Sequence, residues 1–189
     1  NKNNNKIILG VFGQLRDVDI LNLSLESFKE LKKEKNNYEL SVIGTMNEEV
    51  SLYLQKWIKA NIYLKNYINV IGKVNYELLP EVLSNIDISL HLTSGDWCPN
   101  AVLENLSCGN PIICFDYGGS KELVGEAGVV IKGKPYDYSI DNINLIIKAV
   151  KKTEKDLPSL SLIARQRAIN KFSIELMVQK YREVFENFK

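Results

Sequence analysis

The sequence predicts an α/β fold, a doubly wound parallel sheet of the Rossmann-like type, on three observations. Short apolar runs alternate with longer segments of helical periodicity from residue 6 to residue 132. Runs such as "KIILGVFG" and "PIICFD" are apolar throughout, as strands covered on both faces are, and do not alternate apolar with polar. Glycines and acids cluster just after the runs, which is where a parallel sheet turns toward its next helix.

The elements follow in order. "KIILGVFG" reads as a buried strand, and "DILNLSLESFKELKKE" as a helix with Leu21, Leu25, Phe28 and Leu31 on one face. "YELSVIG" is the second strand. "NEEVSLYLQKWIKAN" is a helix with Val50, Leu54, Trp57 and Ile58 as its stripe. Then come the strand "INVIGKV", the helix "YELLPEVLSN" and the strand "DISLHLT". A short helix follows in "GDWCPNAVLENLSCGNP", then the strands "PIICFD" and "AGVVIK". Three helical segments close the chain at roughly residues 139–152, 158–170 and 173–188. Phe172, Leu176, Met177, Tyr181, Val184, Phe185 and Phe188 form an apolar stripe along the last. Pattern alone leaves the strand order open.

At 189 residues the chain is one domain with a real core, over residues 7–189, behind a polar start, "NKNNNK" at 1–6, expected to be disordered. The net charge of +1 gives no electrostatic case for a nucleic-acid partner or an acidic membrane surface. No apolar run approaches the roughly 20 residues that a bilayer span requires. Cys98, Cys108 and Cys114 are odd in number and lack zinc-type spacing, so Cys108 and Cys114 read as small buried hydrophobes in a reducing, cytosolic setting. The single histidine, His91, ends a strand and has no partner for a metal site, and any chemistry needing a histidine base must use it or borrow one.

Open α/β sheets bind ligands outside the carboxyl ends of their strands. Gly13, Gly44, the Gly72-Lys73-Val74 segment, Asp96 and Gly118-Gly119 each follow a strand and share that edge. In residues 95–111, Pro99 suits the first helical position, and the next amides, on Asn100, Ala101 and Val102, face the crevice mouth. Such a helix start favours phosphate through its orphan N–H groups and its dipole. Asn100 and Glu104 share one face, while Val102, Leu103 and Leu106 take the core face. Asp96 and Glu104 can therefore flank one pocket, phosphate on the amides between them and hydroxyl-rich groups against the carboxylates. The plainer reading stands beside it: Asp96 as a helix or turn cap, Glu104 as a solvated helix residue, the glycines as turns.

The stretch "LPEVLSNIDISLHLTSGDWCPNAVLENLSCGNPIICFDYGGSKELVGEAGVVI" resembles the donor-binding, C-terminal half of GT-B fold, family 4 retaining glycosyltransferases. That family has an acid, seven residues and a glutamate, then "EAMACGxPVI" and a "GGxxE" turn. Here Asp96, seven residues and Glu104 precede "NLSCGNPII" and "GGSKE", which ends at Glu122. "KIILGVFGQL", "ELSVIG" and "FSIELMVQKYREVF" extend the likeness over essentially the whole chain. The resemblance implies transfer of a glycosyl group from a nucleotide-diphosphate sugar to a glycan, lipid or protein, with retention and with no metal or other cofactor. It assigns Asp96 and Glu104 as the catalytic pair, Glu104 on the ribose hydroxyls and Asp96 on the transferred sugar. The amides of Asn100 and Ala101 meet the diphosphate, Gly13 and its loop close over it, and Val74 lines the base pocket. Gln14, Arg16 and Cys98 complete the implied donor-binding set.

The family carries an arginine just after the first glycine and a lysine at the start of the next helix. Those places here read Gln14 and Asp19, with Arg16 the nearest substitute and Lys73 a weaker one. These departures keep open a non-catalytic scaffold or partner-binding relative. The resemblance also implies an N-terminal acceptor-binding domain outside this chain, without which the domain binds donor but does not transfer. It places the full-length protein in the cytoplasm, in peripheral contact with the inner face of a membrane.

Overall fold

In the computed structural model, residues 6–93, 95–133 and 137–187 are described. Residues 1–5 of the expected disordered start, and Phe188 of the terminal stripe, lie outside the described residues. Lys6 is described, and its ammonium pairs with Glu39 at 2.5 Å.

Six parallel strands form one sheet: β1 Ile7–Leu15, β2 Tyr38–Met46, β3 Ile68–Gly72, β4 Ile88–His91, β5 Ile112–Phe115 and β6 Gly128–Ile131. Their order is β3-β2-β1-β4-β5-β6. The helices are α1 Val18–Glu34, α2 Glu48–Ala60, α3 Leu79–Leu83, α4 Asn100–Ser107, α5 Ser120–Val124, α6 Ile140–Lys155, α7 Leu157–Phe172 and α8 Ile174–Glu186. The chain builds outward from β1 to β3, returns to place β4 beside β1, and builds outward the other way. Neighbouring connections leave β1 and β4 toward opposite faces, so a crevice opens between their carboxyl ends.

Local chemistry sets the elements. Asp17 caps α1, its carboxylate accepting from the N–H groups of Asp19 and Ile20 at 2.8 and 3.3 Å. Leu21, Leu25, Phe28 and Leu31 are buried as their spacing requires, each contributing about 1.5–3 kcal/mol relative to exposure. With α2 and α6 they cover Leu9, Val11, Leu40, Val42, Ile88, Leu90 and Phe115. On the opposite face α4, α5 and α7 cover Ile112 and Cys114, and α3 packs Leu79 and Leu83 near Ile43. The doubly wound architecture expected from the sequence is the observed one.

Four local features correct the sequence reading or add to it. β3 is an edge strand with Asn69, Val70 and Ile71 exposed, because no strand lies beyond it. "YELLPEVLSN" begins as a 3-10 turn at Tyr76–Leu78 and becomes α-helical only over Leu79–Leu83; Pro80 has no N–H to donate to an earlier turn. α5 was not expected, since five residues are too short for periodicity to register. Cys108 caps the end of α4 and is half-buried, while Cys114 is fully buried and burial pushes its thiol up to about 12. No helix among the described residues is long and apolar enough to cross a membrane.

Candidate functional site

A cleft of about 480 Å³ opens at the carboxyl ends of β1 and β4. β1 contributes Gly13 and Gln14, the segment after β3 contributes Lys73 and Val74, and β4 contributes His91. The loop after β4 and the start of α4 supply Asp96, Pro99, Asn100, Ala101 and Glu104. Seven of the nine residues singled out from the sequence thus border one cavity, though they lie as far as 91 positions apart in the chain (13 to 104).

Glycines bring the backbones this close. Gly13 and Gly44 are paired across β1 and β2, and a Cβ on Gly44 would lie 1.9 Å from the Gly13 carbonyl oxygen. Gly44 also has φ +117°, which disfavours any other residue. Across the cleft, Gly119 donates its N–H to the Asp96 carbonyl at 3.0 Å. A Cβ on Gly119 would lie 1.8 Å from the Trp97 carbonyl oxygen. The Gly118-Gly119 turn is therefore the seat of the Asp96 loop. Glu122, at the end of that motif, is exposed, and its carbonyl accepts from Arg167 at 2.7 Å.

The start of α4 differs from expectation in one respect. Pro99 is the N-cap, in extended conformation, and Asn100 is the first helical residue. Val102 donates its N–H to the Pro99 carbonyl at 3.0 Å, which removes it from the anion site inferred from sequence. The amides of Asn100 and Ala101 remain as first-turn donors without an intrahelical acceptor, and no side chain caps them. Val102 and Leu106 are buried beneath, whereas Leu103 is only half-buried and borders a second cavity.

Asp96 forms an Asx-type turn, its Oδ1 accepting from the Cys98 N–H at 3.2 Å. The capping reading therefore holds for one carboxylate oxygen, while the residue still borders the cleft. Glu104 is half-buried, and its carboxylate forms no hydrogen bond or ion pair with a described residue; burial raises its pKa above the ordinary carboxylate value. It stands between the cleft and a second cavity of about 560 Å³, which runs between α3 and α4 to Arg165 and Ile174. Tyr76, Leu79 and Asn100 border both.

The basic residues are arranged unlike the expectation. Arg16 is exposed, donates to Gln14 Oε1, and is not among the residues bordering the cleft. Cys98 is exposed and also off the wall. Lys73, the weaker substitute by sequence, is on the wall and makes no ion pair among the described residues. Asp19 is exposed in the first turn of α1. The sequence offers His91 only as a metal ligand or a base; its place as the last residue of a strand is the signal for the cleft. Among the described residues no group of three His, Cys, Asp or Glu side chains is placed to hold a metal ion.

The pneumococcal O-GlcNAc transferase GtfA, solved with UDP and GlcNAc, superposes over 97% of this chain with TM-score 0.80 at 20% identity. Anabaena HepE, solved with UDP-glucose, does so over 97% with TM-score 0.74 at 18% identity. WaaG, a glycosyltransferase of lipopolysaccharide biosynthesis, does so over 89% with TM-score 0.67 at 18% identity. The chain spans 36%, 49% and 44% of those three proteins. No curated protein sequence matches the chain. The sequence model of the glycosyl transferases group 1 matches residues 1–157, and the chain belongs to that family.

Proposed function

We propose that this domain binds a nucleotide-diphosphate sugar in the β1–β4 cleft and forms the donor half of a retaining, family 4 glycosyltransferase. The carrying observation is the convergence of Asp96, Glu104 and the first-turn amides of α4 on one cavity at the switch point of the sheet. Amides at a helix start suit a diphosphate, and a half-buried carboxylate without a protein partner suits vicinal hydroxyls. Glu104 then holds the ribose, Asp96 the transferred sugar, and Val74 with Tyr76 the base. The relatives solved with UDP bind a ligand of this class on the same fold.

The transfer reaction requires an acceptor-binding N-terminal domain, and α8 supports its existence. Met177, Tyr181, Val184 and Phe185 are 51, 60, 51 and 69% exposed along that helix, an apolar surface that a neighbouring domain would cover. A non-catalytic scaffold is the second reading, favoured by Gln14, Asp19 and the engagement of Arg16 with Gln14.

Isothermal titration with UDP, GDP and ADP separates the two. A donor site binds at least one of them, and Glu104→Ala weakens that binding by roughly 10- to 100-fold, the value of hydrogen bonds to a charged group. Absence of binding by all three moves the assignment to the scaffold.

A further inference from the structure

His91 is the last residue of β4, beside Cys114 of β5 in the strand register. Strand alternation places it with Ser89 on the face that α4 covers, opposite Leu90. It borders the cleft together with Asp96, Asn100 and Ala101. The residue is 8% exposed, and its Nε2 is buried with no hydrogen-bond partner among the described residues. A buried, unpaired polar atom is costly, and native structures rarely keep one without a use. The cleft is otherwise poor in positive charge, with Lys73 the one lysine or arginine on its described wall.

We infer that His91 is a ligand-contacting residue, its imidazole hydrogen-bonding a phosphate oxygen of a diphosphate seated on the Asn100 and Ala101 amides. The inference rests on the donor-site reading above and adds to it a residue that the sequence motif does not contain. Burial pulls the imidazole down to about 4, against the opposing pull of Asp96, so the ring is neutral at pH 7. A neutral ring carries one N–H, and at Nε2 no described residue competes for it. A phosphate oxygen is the acceptor that such a donor suits best, since hydrogen bonds to ionised groups are the stronger kind. The contact takes up part of the role left vacant where Gln14 and Asp19 stand.

His91 is the only histidine of the chain, so its ring can be observed without substitution. The experiment follows the ring ¹⁵N and ¹H resonances of the 189-residue chain during titration with UDP and with uridine, alongside calorimetry of His91→Gln and His91→Leu. Expected are a shift of the ring resonances with UDP and little shift with uridine. His91→Leu should weaken UDP by about tenfold or more while leaving uridine within about twofold. His91→Gln, which keeps a donor, should stay within about threefold of the unaltered chain. The melting temperature of His91→Leu should not fall, because an unpaired buried donor is removed. Equal losses for UDP and uridine, unchanged UDP affinity, or ring resonances indifferent to bound UDP would each overturn the contact while leaving the donor site intact. Failure of the unaltered chain to bind UDP, GDP or ADP overturns the donor-site reading itself, and this contact with it.

Discussion

At the scale of single residues, burial decides what each ionisable group can do. His91 stays neutral in the fold, with its pKa lowered to about 4 from 6.5. Between those values the unfolded chain binds more protons than the folded one, so stability rises with pH there. The contribution is fully present above about pH 6.5 and is lost as pH falls toward 4, a total of roughly 3 kcal/mol. Urea unfolding from pH 7 to pH 4 should show this loss, and His91→Leu should flatten the slope by that amount. A slope unchanged in His91→Leu would assign the acid sensitivity to the carboxylates. Glu104 shifts the other way, upward, through burial; ligand binding that needs its carboxylate should begin to weaken at a higher pH than an exposed glutamate would permit. The two candidate cations separate by position. Lys73→Ala should weaken UDP more than uridine, whereas Arg16→Ala should leave both nearly unchanged, since Arg16 is turned to Gln14. A selective loss of UDP in Arg16→Ala would instead show that this side chain swings in when ligand binds.

At the scale of elements, α4 is the part on which the site depends, and two devices hold it. Behind it, Asn110 donates its side-chain amide to the Leu83 carbonyl at 2.9 Å and to Asn105 Oδ1 at 3.1 Å. Asn105 in turn donates to the Ala101 carbonyl at 2.8 Å, so one buried amide chain ties α3 to the first turn of α4. Asn110→Ala leaves Asn105 Oδ1 unpaired and takes from the Leu83 carbonyl one of its two donors, the other being the Ile86 N–H; it should cost about 2 kcal/mol, a melting shift of roughly 2–4 °C per kcal/mol for a domain of this size. In front of it, the Gly118-Gly119 turn seats the Asp96 loop. Gly119→Ala puts a Cβ into the Trp97 carbonyl, and the loop must move. If Asp96 meets the transferred sugar, this variant should weaken UDP-glucose or another UDP-sugar more than UDP; equal effects on both would place Asp96 off the sugar. The motif "GDWCPNAVLENLSCGNP" thus contains both a ligand surface and half of its own support.

At the scale of the whole molecule, the terminal helices divide the chain into a packed body and an open flank. α6 buries Ile143, Ile146, Ile147 and Val150 against the sheet, while α8 has no buried residue. Substituting Met177→Lys and Phe185→Glu together should therefore leave unfolding stability within about 0.5 kcal/mol per site, as surface changes do. A large loss of stability would show that α8 packs more firmly than its exposure indicates.

The sequence by itself determined the element order, the doubly wound class, the stripes of α1 and α2, and the identity of most cleft residues. Those features are local: periodicity, capping residues and turn glycines act within a few positions. Glu104 and Asp96 were legible because one short helix with a sharp start carries Glu104 and the loop leading into it carries Asp96. The tertiary structure decided the rest. Strand order depends on which strand β4 joins, a pairing that no window of sequence contains, and that pairing creates the crevice. It also put Lys73 on the wall and left His91 Nε2 buried without a hydrogen-bond partner among the described residues. Both of these depend on neighbours far away in the chain, and burial against such neighbours fixes both hydrogen-bond supply and charge state.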